Sequence, residues 1–309
     1  MRNFHFMVLS DASAPAAVLI LNRNTMKIEK GYRRADYSAG KSQKMADRAY
    51  DSLILHIPHS GTEFPGIDKD ISRQLIDNAR DVIDWFTDEL FSPEVPDERI
   101  IPVIFPYCRT FCDVERMIED PLKRENLGIC YESDPLGPSY GFFKVGTENV
   151  RTNRKESYRL YQEHHHRTED LLLCAGRTLL IDCHSFSSYP TPILPHYDRN
   201  EEVDICIGYN EDRTKPWGMV IDTVINHFRS LGYVVGVNTP FSNAKTFNTP
   251  VKYDSLMIEL NKKLYMDERS GQKKPTFEKL KSEINSLYDK LLGYMATITF
   301  VKYSPLTKR

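Results

Sequence analysis

Two histidines and one acid stand where chemistry collects in an α/β protein. His59 follows the apolar run Leu53-Ile54-Leu55-His56-Ile57-Pro58, and His184 closes Leu179-Leu180-Ile181-Asp182-Cys183. A third run, Ser255-Leu256-Met257-Ile258, leads into Glu259. Each run reads as a buried strand, and open α/β sheets gather ligands at the carboxyl ends of their strands. Two imidazoles and a carboxylate delivered there suit a metal-hydrolase site, because zinc takes nitrogen and oxygen ligands and catalytic sites keep one position open. Asp182, two residues before His184, points to the same strand face and can orient the imidazole. A buried carboxylate without a partner is costly, so Glu259 is expected to face a metal, a cation or a proton it must move. In a zinc hydrolase the metal lowers the pKa of water toward 7, and a carboxylate such as Glu259 accepts the proton.

A third ligand is needed. Glu63 lies four residues past His59, and Asp84 and Asp88 lie on the segment that follows. Arg109 and Arg116 flank the acids Asp113 and Glu115, so they grip an anionic substrate bidentately, form an internal network, or do both. The triplet His164-His165-His166 cannot chelate one ion, since adjacent helix residues point about 100° apart. At most one of the three faces inward; the reading favours His165 and leaves the others on the surface. Nucleophile chemistry is poorly supported. No Gly-x-Ser-x-Gly elbow surrounds Ser60 or Ser185, and Cys183 and His184 are strand neighbours that point to opposite faces. Gly-x-Gly-x-x-Gly and Walker phosphate loops are absent.

The elements that must position these residues alternate. Strands are expected at 52–58, 99–105, 178–182, 203–209, 233–237 and 255–260. Helices are expected at 70–78, 80–91, 155–175, 217–231 and from about 275 to 297. Such alternation implies a mostly parallel sheet covered on both faces. The long Pro- and Gly-rich region 106–150 reads as functional or ligand-ordered. Residues 1–50 read as an N-terminal extension, with a hairpin of two short apolar runs followed by a basic stretch. Residues 51–309 read as a single catalytic domain.

Composition narrows the partners. The chain has 309 residues, 27% of them charged, and a net charge of −2. That balance argues against nucleic acid or a membrane surface as a partner, and no apolar stretch reaches the roughly 18 residues that span a bilayer. Arg2, the run Phe4 to Leu9 and Ala12-Ser13-Ala14 mimic a signal peptide, but the run is brief, contains His5 and meets Asp11 at once. The six cysteines are scattered without a CxxC pair. Cys174 and Cys183 lie in or beside apolar runs and are expected as buried thiols. A cytoplasmic protein is the expectation.

Taken together, these blocks resemble the N-formylglutamate amidohydrolase family, zinc hydrolases related in fold to the zinc carboxypeptidases. The resemblance rests on Ile57-Pro58-His59-Ser60-Gly61, Asp84-Trp85-Phe86-Thr87-Asp88-Glu89-Leu90, Arg109 through Arg116 and Arg151. It continues in Ile181-Asp182-Cys183-His184-Ser185 and Glu259-Leu260-Asn261-Lys262-Lys263-Leu264-Tyr265. It covers about 50 to 297 and implies a three-layer α/β/α sandwich with a mixed, mostly parallel sheet, like the zinc-exopeptidase and phosphorylase-hydrolase folds. One zinc at the carboxyl edge of the sheet would be held by His59, His184 and Asp84, with Glu63 as the rival third ligand. Glu63 is one residue too far for the carboxypeptidase His-x-x-Glu arrangement. Glu259 would be the general base, with His165 a further candidate. Arg109, Arg116, Arg151 and Asn261 would contact a small anionic substrate, an N-acylated acidic amino acid such as N-formylglutamate. The family often has Asp-Leu-Asn-Arg where this chain has Asp113-Val114-Glu115-Arg116, which places an acid beside the arginines. The same constellation would also serve a metallopeptidase or cell-wall amidase, and a metal-free binding protein could keep the fold. The blocks do not fix the oligomeric state.

Overall fold

The computed structural model describes residues 50–117, 128–129, 154–189 and 203–301, with backbone only at 71, 154 and 293–301. The expected extension 1–49, most of 118–153 and Arg151 lie outside these residues. Six strands form one sheet: β1 (Ser52–Ile57), β2 (Ile100–Ile104), β3 (Thr178–Phe186), β4 (Ile205–Gly208), β5 (Val235–Val237) and β6 (Asp254–Asn261). Their order is β2-β1-β3-β6-β4-β5. All neighbouring pairs run parallel except β4 with β6, so the sheet is mixed, as expected. A small antiparallel pair, β7 (Met266–Asp267) with β8 (Gln272–Lys273), follows β6. The helices are α1 (Lys69–Ala79), α2 (Thr87–Phe91), α3 (Arg154–Cys174), α4 (Gly218–Ser230) and α5 (Phe277–Val301). Among the described residues no helix is long and apolar enough to cross a membrane.

Strand parity decides which residues reach the site. The central strands β1, β3 and β6 are buried along their whole length, so both faces must be covered. Leu53, Leu55, Ile57, Leu179, Ile181, Cys183, Leu256, Ile258 and Leu260 pack with residues of α2, α4 and α5. The alternate residues face the other way, where Ile54 and Leu180 pack with Leu172 of α3. By the period of two, His56, Asp182, His184 and Glu259 lie on this α3 face. The register strengthens the point, pairing His56 with Asp182 and His184 with Glu259. The titratable side chains of the site thus interrupt the apolar layer on the α3 face, toward the carboxyl ends of three parallel strands.

Two expected elements differ. The segment 80–91 is helical only from Thr87, because Phe86 takes a left-handed conformation with φ 65° at the helix start. Asp84 therefore sits in a turn rather than on a helix. Its N–H donates to the His59 carbonyl at 3.0 Å, and its own carbonyl receives the Thr87 hydroxyl at 2.8 Å. β3 also continues four residues beyond the expected end at 182, so His184 lies within the strand. Of the cysteines, Cys183 is buried as expected, whereas Cys174, the last residue of α3, is exposed.

The loop after β1 has no room for a side chain at Gly61. A Cβ there would lie 2.3 Å from the Pro106 carbonyl carbon and 2.5 Å from the Phe105 oxygen. Both are backbone atoms, and the Glu63 N–H to Pro106 bond ties the two loops together. Gly61→Ala is expected to destabilise the protein by about 3 kcal/mol or more, and urea denaturation checks it. A loss below about 1 kcal/mol would show that the loops can part.

Candidate metal and catalytic site

His59, in the loop after β1, and His184, near the carboxyl end of β3, meet over the Asp84 turn. His184 Nδ1 lies 3.2 Å from Asp84 Oδ2, and His59 Nδ1 lies 3.6 Å from the same oxygen. The three ligand atoms lie within 4.8 Å of one another, and all three residues are buried. Each ring turns its other nitrogen to a carboxylate, which can only accept. His59 Nε2 donates to Asp113 Oδ1 at 2.8 Å, and His184 Nε2 donates to Asp182 Oδ1 at 3.0 Å. Tying Nε2–H in this way fixes the ring orientation and turns Nδ1 toward Asp84, the arrangement that metal-ligating histidines show.

The electrostatics agree with a cation between these groups. Burial lowers the pKa of His184, but Asp182, Asp84 and Glu259 more than offset it and hold the ring protonated well above its ordinary value. Burial raises Asp84, yet the bond to His184 and the nearby His59 ring hold it below the usual carboxylate range. A proton on His184 thus plays the part a divalent ion would take over, with release of that proton on binding. His59 Nδ1 and Glu259 Oε2 are buried without a hydrogen-bond partner among the described residues. Burial drives the Glu259 carboxyl up to about 8, with Asp84 and Asp182 adding to the shift and His184 opposing it. An orphaned ring nitrogen and a carboxyl that needs positive charge beside it both fit a divalent cation held by His59, Asp84 and His184.

Not every sequence-predicted residue joins this centre. Glu63 is exposed, and its backbone serves the bridge to Tyr107. It is absent from the cluster because the chain leaves His59 in an extended loop, not a helical turn that would bring it back. Arg109 turns onto Asp113, with Nε at 3.3 Å and Nη2 at 3.0 Å from Oδ2, and its Nη1 donates to the Val82 carbonyl. Arg116 Nε stands 3.5 Å from the same Asp113 oxygen. Burial raises Asp113, but Arg109, His59 and Arg116 hold it well below the carboxylate range. The two arginines thus hold the acid that holds His59, a role that does not exclude contact with a substrate. Asn261 also makes structural bonds. Its Nδ2 donates to the Val203 carbonyl at 3.1 Å, and its Oδ1 receives the Lys263 N–H and caps a short turn.

The histidine triplet points differently from the sequence expectation. His164 is the inward residue, buried, with Nε2 2.9 Å from Nε2 of His56. His165 is only partly buried, stacks on Tyr161 and reaches the Val114 carbonyl at 2.8 Å. Burial and the neighbouring Lys245 push it down to about 3, so it stays neutral. Helical phase explains the correction: Leu160, His164, Thr168 and Leu172 recur every four residues along the buried stripe. His164→Ala is expected to cost about 1–3 kcal/mol by stripping His56 of its partner, while His165→Ala costs less than half as much. Guanidinium denaturation of the two variants orders them, and an equal loss would contradict the assignment.

Sequence reasoning overlooked His56 and Asp113 as site residues. His56 lies mid-strand, and its Nδ1 donates to Asp182 Oδ1 at 2.8 Å. The usable signal was a histidine inside a fully buried strand, which must find a polar partner. Asp113 was legible only as one acid among arginines.

Comparison with known proteins fits this picture. Residues 51–266 match the sequence model of the family described as N-formylglutamate amidohydrolase. A crystal structure of N-formylglutamate amidohydrolase from Ralstonia eutropha JMP134 superposes with a TM-score of 0.56 at 19% identity, covering 81% of this chain and 95% of that one. The gene product Atu2144 from Agrobacterium tumefaciens gives a TM-score of 0.48 at 18% identity, over 81% of this chain and 94% of that one. The search of curated proteins finds no match. The class defined is that of amidohydrolases, here on a mixed α/β sheet. Within it, the chain belongs to the N-formylglutamate amidohydrolase family.

Proposed function

We propose that this protein is a zinc-dependent amidohydrolase that cleaves the acyl amide of a small N-acylated acidic amino acid, N-formylglutamate being the leading candidate. The observation that carries the metal reading is the convergence of His59 Nδ1, His184 Nδ1 and Asp84 Oδ2, with both outer nitrogens tied to carboxylates. When bound there, a zinc ion supplies a Lewis acid for the amide carbonyl and lowers the pKa of water. In this reading Glu259, which pairs with His184 across the sheet, takes the proton of the attacking water and hands it to the departing amine. Burial raises the Glu259 carboxyl in the metal-free chain, and a neighbouring cation would favour the ionised form that accepts the proton. Asp182 and Asp113 keep the two imidazoles oriented throughout. The choice of an acidic acyl amino acid rests on the family, since Arg109 and Arg116 are drawn into the Asp113 network. A cytoplasmic setting is part of the same proposal.

The test is an assay of N-formyl-L-glutamate hydrolysis by purified, chelated and zinc-reconstituted protein. Turnover should vanish on chelation and return with one equivalent of zinc at this centre. Protein that takes up zinc yet releases no formate, and cleaves no N-acetyl or N-formyl acidic amino acid, would refute the substrate. Protein that binds no metal would refute the chemistry.

A further inference from the structure

Behind His184 lies a second group of donors that the proposed reaction does not use. His56 Nδ1, Asp182 Oδ1 and Glu115 Oε2 lie within 4.8 Å of one another. His56 and Asp182 are almost wholly buried, and the Glu115 side chain is 21% exposed. Its Oε2 is nevertheless buried and has no hydrogen-bond partner among the described residues, although it stands 3.7 Å from His56 Nδ1. Asp182 Oδ1 stands 2.8 Å from the same nitrogen. Tetrahedral sites with bonds of about 2.0–2.1 Å space their ligand atoms at roughly 3.3–3.4 Å. The two separations from His56 Nδ1 bracket that value, and the two carboxylate oxygens lie within 4.8 Å of each other.

We propose that His56, Asp182 and Glu115 form a second divalent-cation site, adjoining the first through Asp182 and His184. Three features favour a cation over a mere polar cluster. The first is that two carboxylates, Asp182 and Glu115, approach one imidazole nitrogen, while the Lys245 ammonium is spent on the Glu115 backbone carbonyl and not on either carboxylate. The second is that the outer nitrogen of His56 is also engaged, by an imidazole where His59 and His184 meet carboxylates. Its Nε2 meets His164 Nε2 at 2.9 Å, a contact that fixes the ring orientation. The third is geometric: Asp182 can bind an ion through Oδ1 and still accept from His184, since a carboxylate oxygen has two lone pairs. Its Oδ2 is held separately by the Lys245 N–H at 2.9 Å. Binding would displace the Nδ1 proton of His56 to solvent and leave the His184 bond in place. The mixed imidazole and carboxylate set suits zinc or manganese.

The competing arrangement is a protonated His56 bridging the two acids with no ion. Chelated protein dialysed against zinc separates the two by elemental analysis. Wild type should bind two equivalents, Glu115→Gln one, and His59→Ala one, retained at the second site. Glutamine keeps the shape of a partly exposed side chain, so the Glu115 variant should fold as the parent does, checked by circular dichroism. One equivalent in both wild type and Glu115→Gln would overturn the second site and leave the first intact. Two equivalents in both would overturn the assignment of Glu115 as a ligand. No zinc in wild type would remove both sites.

Discussion

Glu259→Gln should lose about 10²–10⁴-fold in kcat, the usual contribution of a positioned proton carrier, and at the same time make the chelated protein more stable. The two effects have one cause. In the folded chain, burial raises the Glu259 carboxyl from its ordinary 4.5 to about 8. Between these values the folded state keeps a proton that the unfolded state has released. Stability contributed at this position is therefore fully present below pH 4.5 and declines as pH rises toward 8. Glutamine does not titrate, so the variant escapes the decline. The gap between variant and parent should open with pH and reach on the order of 3 kcal/mol near pH 8. Thermal or urea unfolding of chelated samples from pH 5 to 8 measures it. Zinc should narrow the gap, because a nearby cation favours the ionised form. A variant with full turnover would remove Glu259 from the mechanism. A gap that does not change with pH would show that the carboxyl is ionised in the folded protein.

What could be read from the sequence followed the strength of the periodic signal. The β1, β3 and β6 runs are apolar on both faces, so their existence and their polar terminal residues were plain before any coordinates. Parity then placed Asp182 with His184 correctly, because a strand alternates without ambiguity. Helix α3 was equally plain, but its phase was not: choosing His165 over His164 is an error of about 100° in rotation. Local reading failed most where the backbone leaves regular structure. The left-handed Phe86 delays the start of α2 and sets Asp84 in a turn, a choice made by contacts with the His59 loop that no spacing reveals. The arginines show a different limit. Their chemistry announced a carboxylate partner, yet only the fold shows that the partner is Asp113 in the chain itself. The antiparallel β4 had no signature either, since the direction of a short buried strand depends on its connections and not on its residues.

Asp182→Asn should lower zinc affinity about 10–100-fold, the usual cost of removing a partner that orients a metal ligand, and destabilise the protein by about 3 kcal/mol. Asp182 accepts from His56 Nδ1, His184 Nε2 and the Lys245 N–H, all at 3.0 Å or less. Asparagine offers one accepting oxygen and one donating amide. If its oxygen faces the histidines, the amide meets the Lys245 N–H; if it flips, the amide meets two ring donors. Either way a buried donor faces a donor. The charge is lost as well. Burial raises Asp182, but His184 and His56 outweigh burial and hold it below the carboxylate range. A depressed carboxylate stabilises the fold above its unfolded pKa near 3.8, and the benefit fades as pH falls below that value. Parent and variant should therefore differ most at neutral pH and converge in acid. Zinc titration with a competing chelator and unfolding at pH 7 and pH 3 read the two parts separately. Unchanged affinity with reduced stability would make Asp182 a packing residue only, and it would leave His184 oriented by the strand itself.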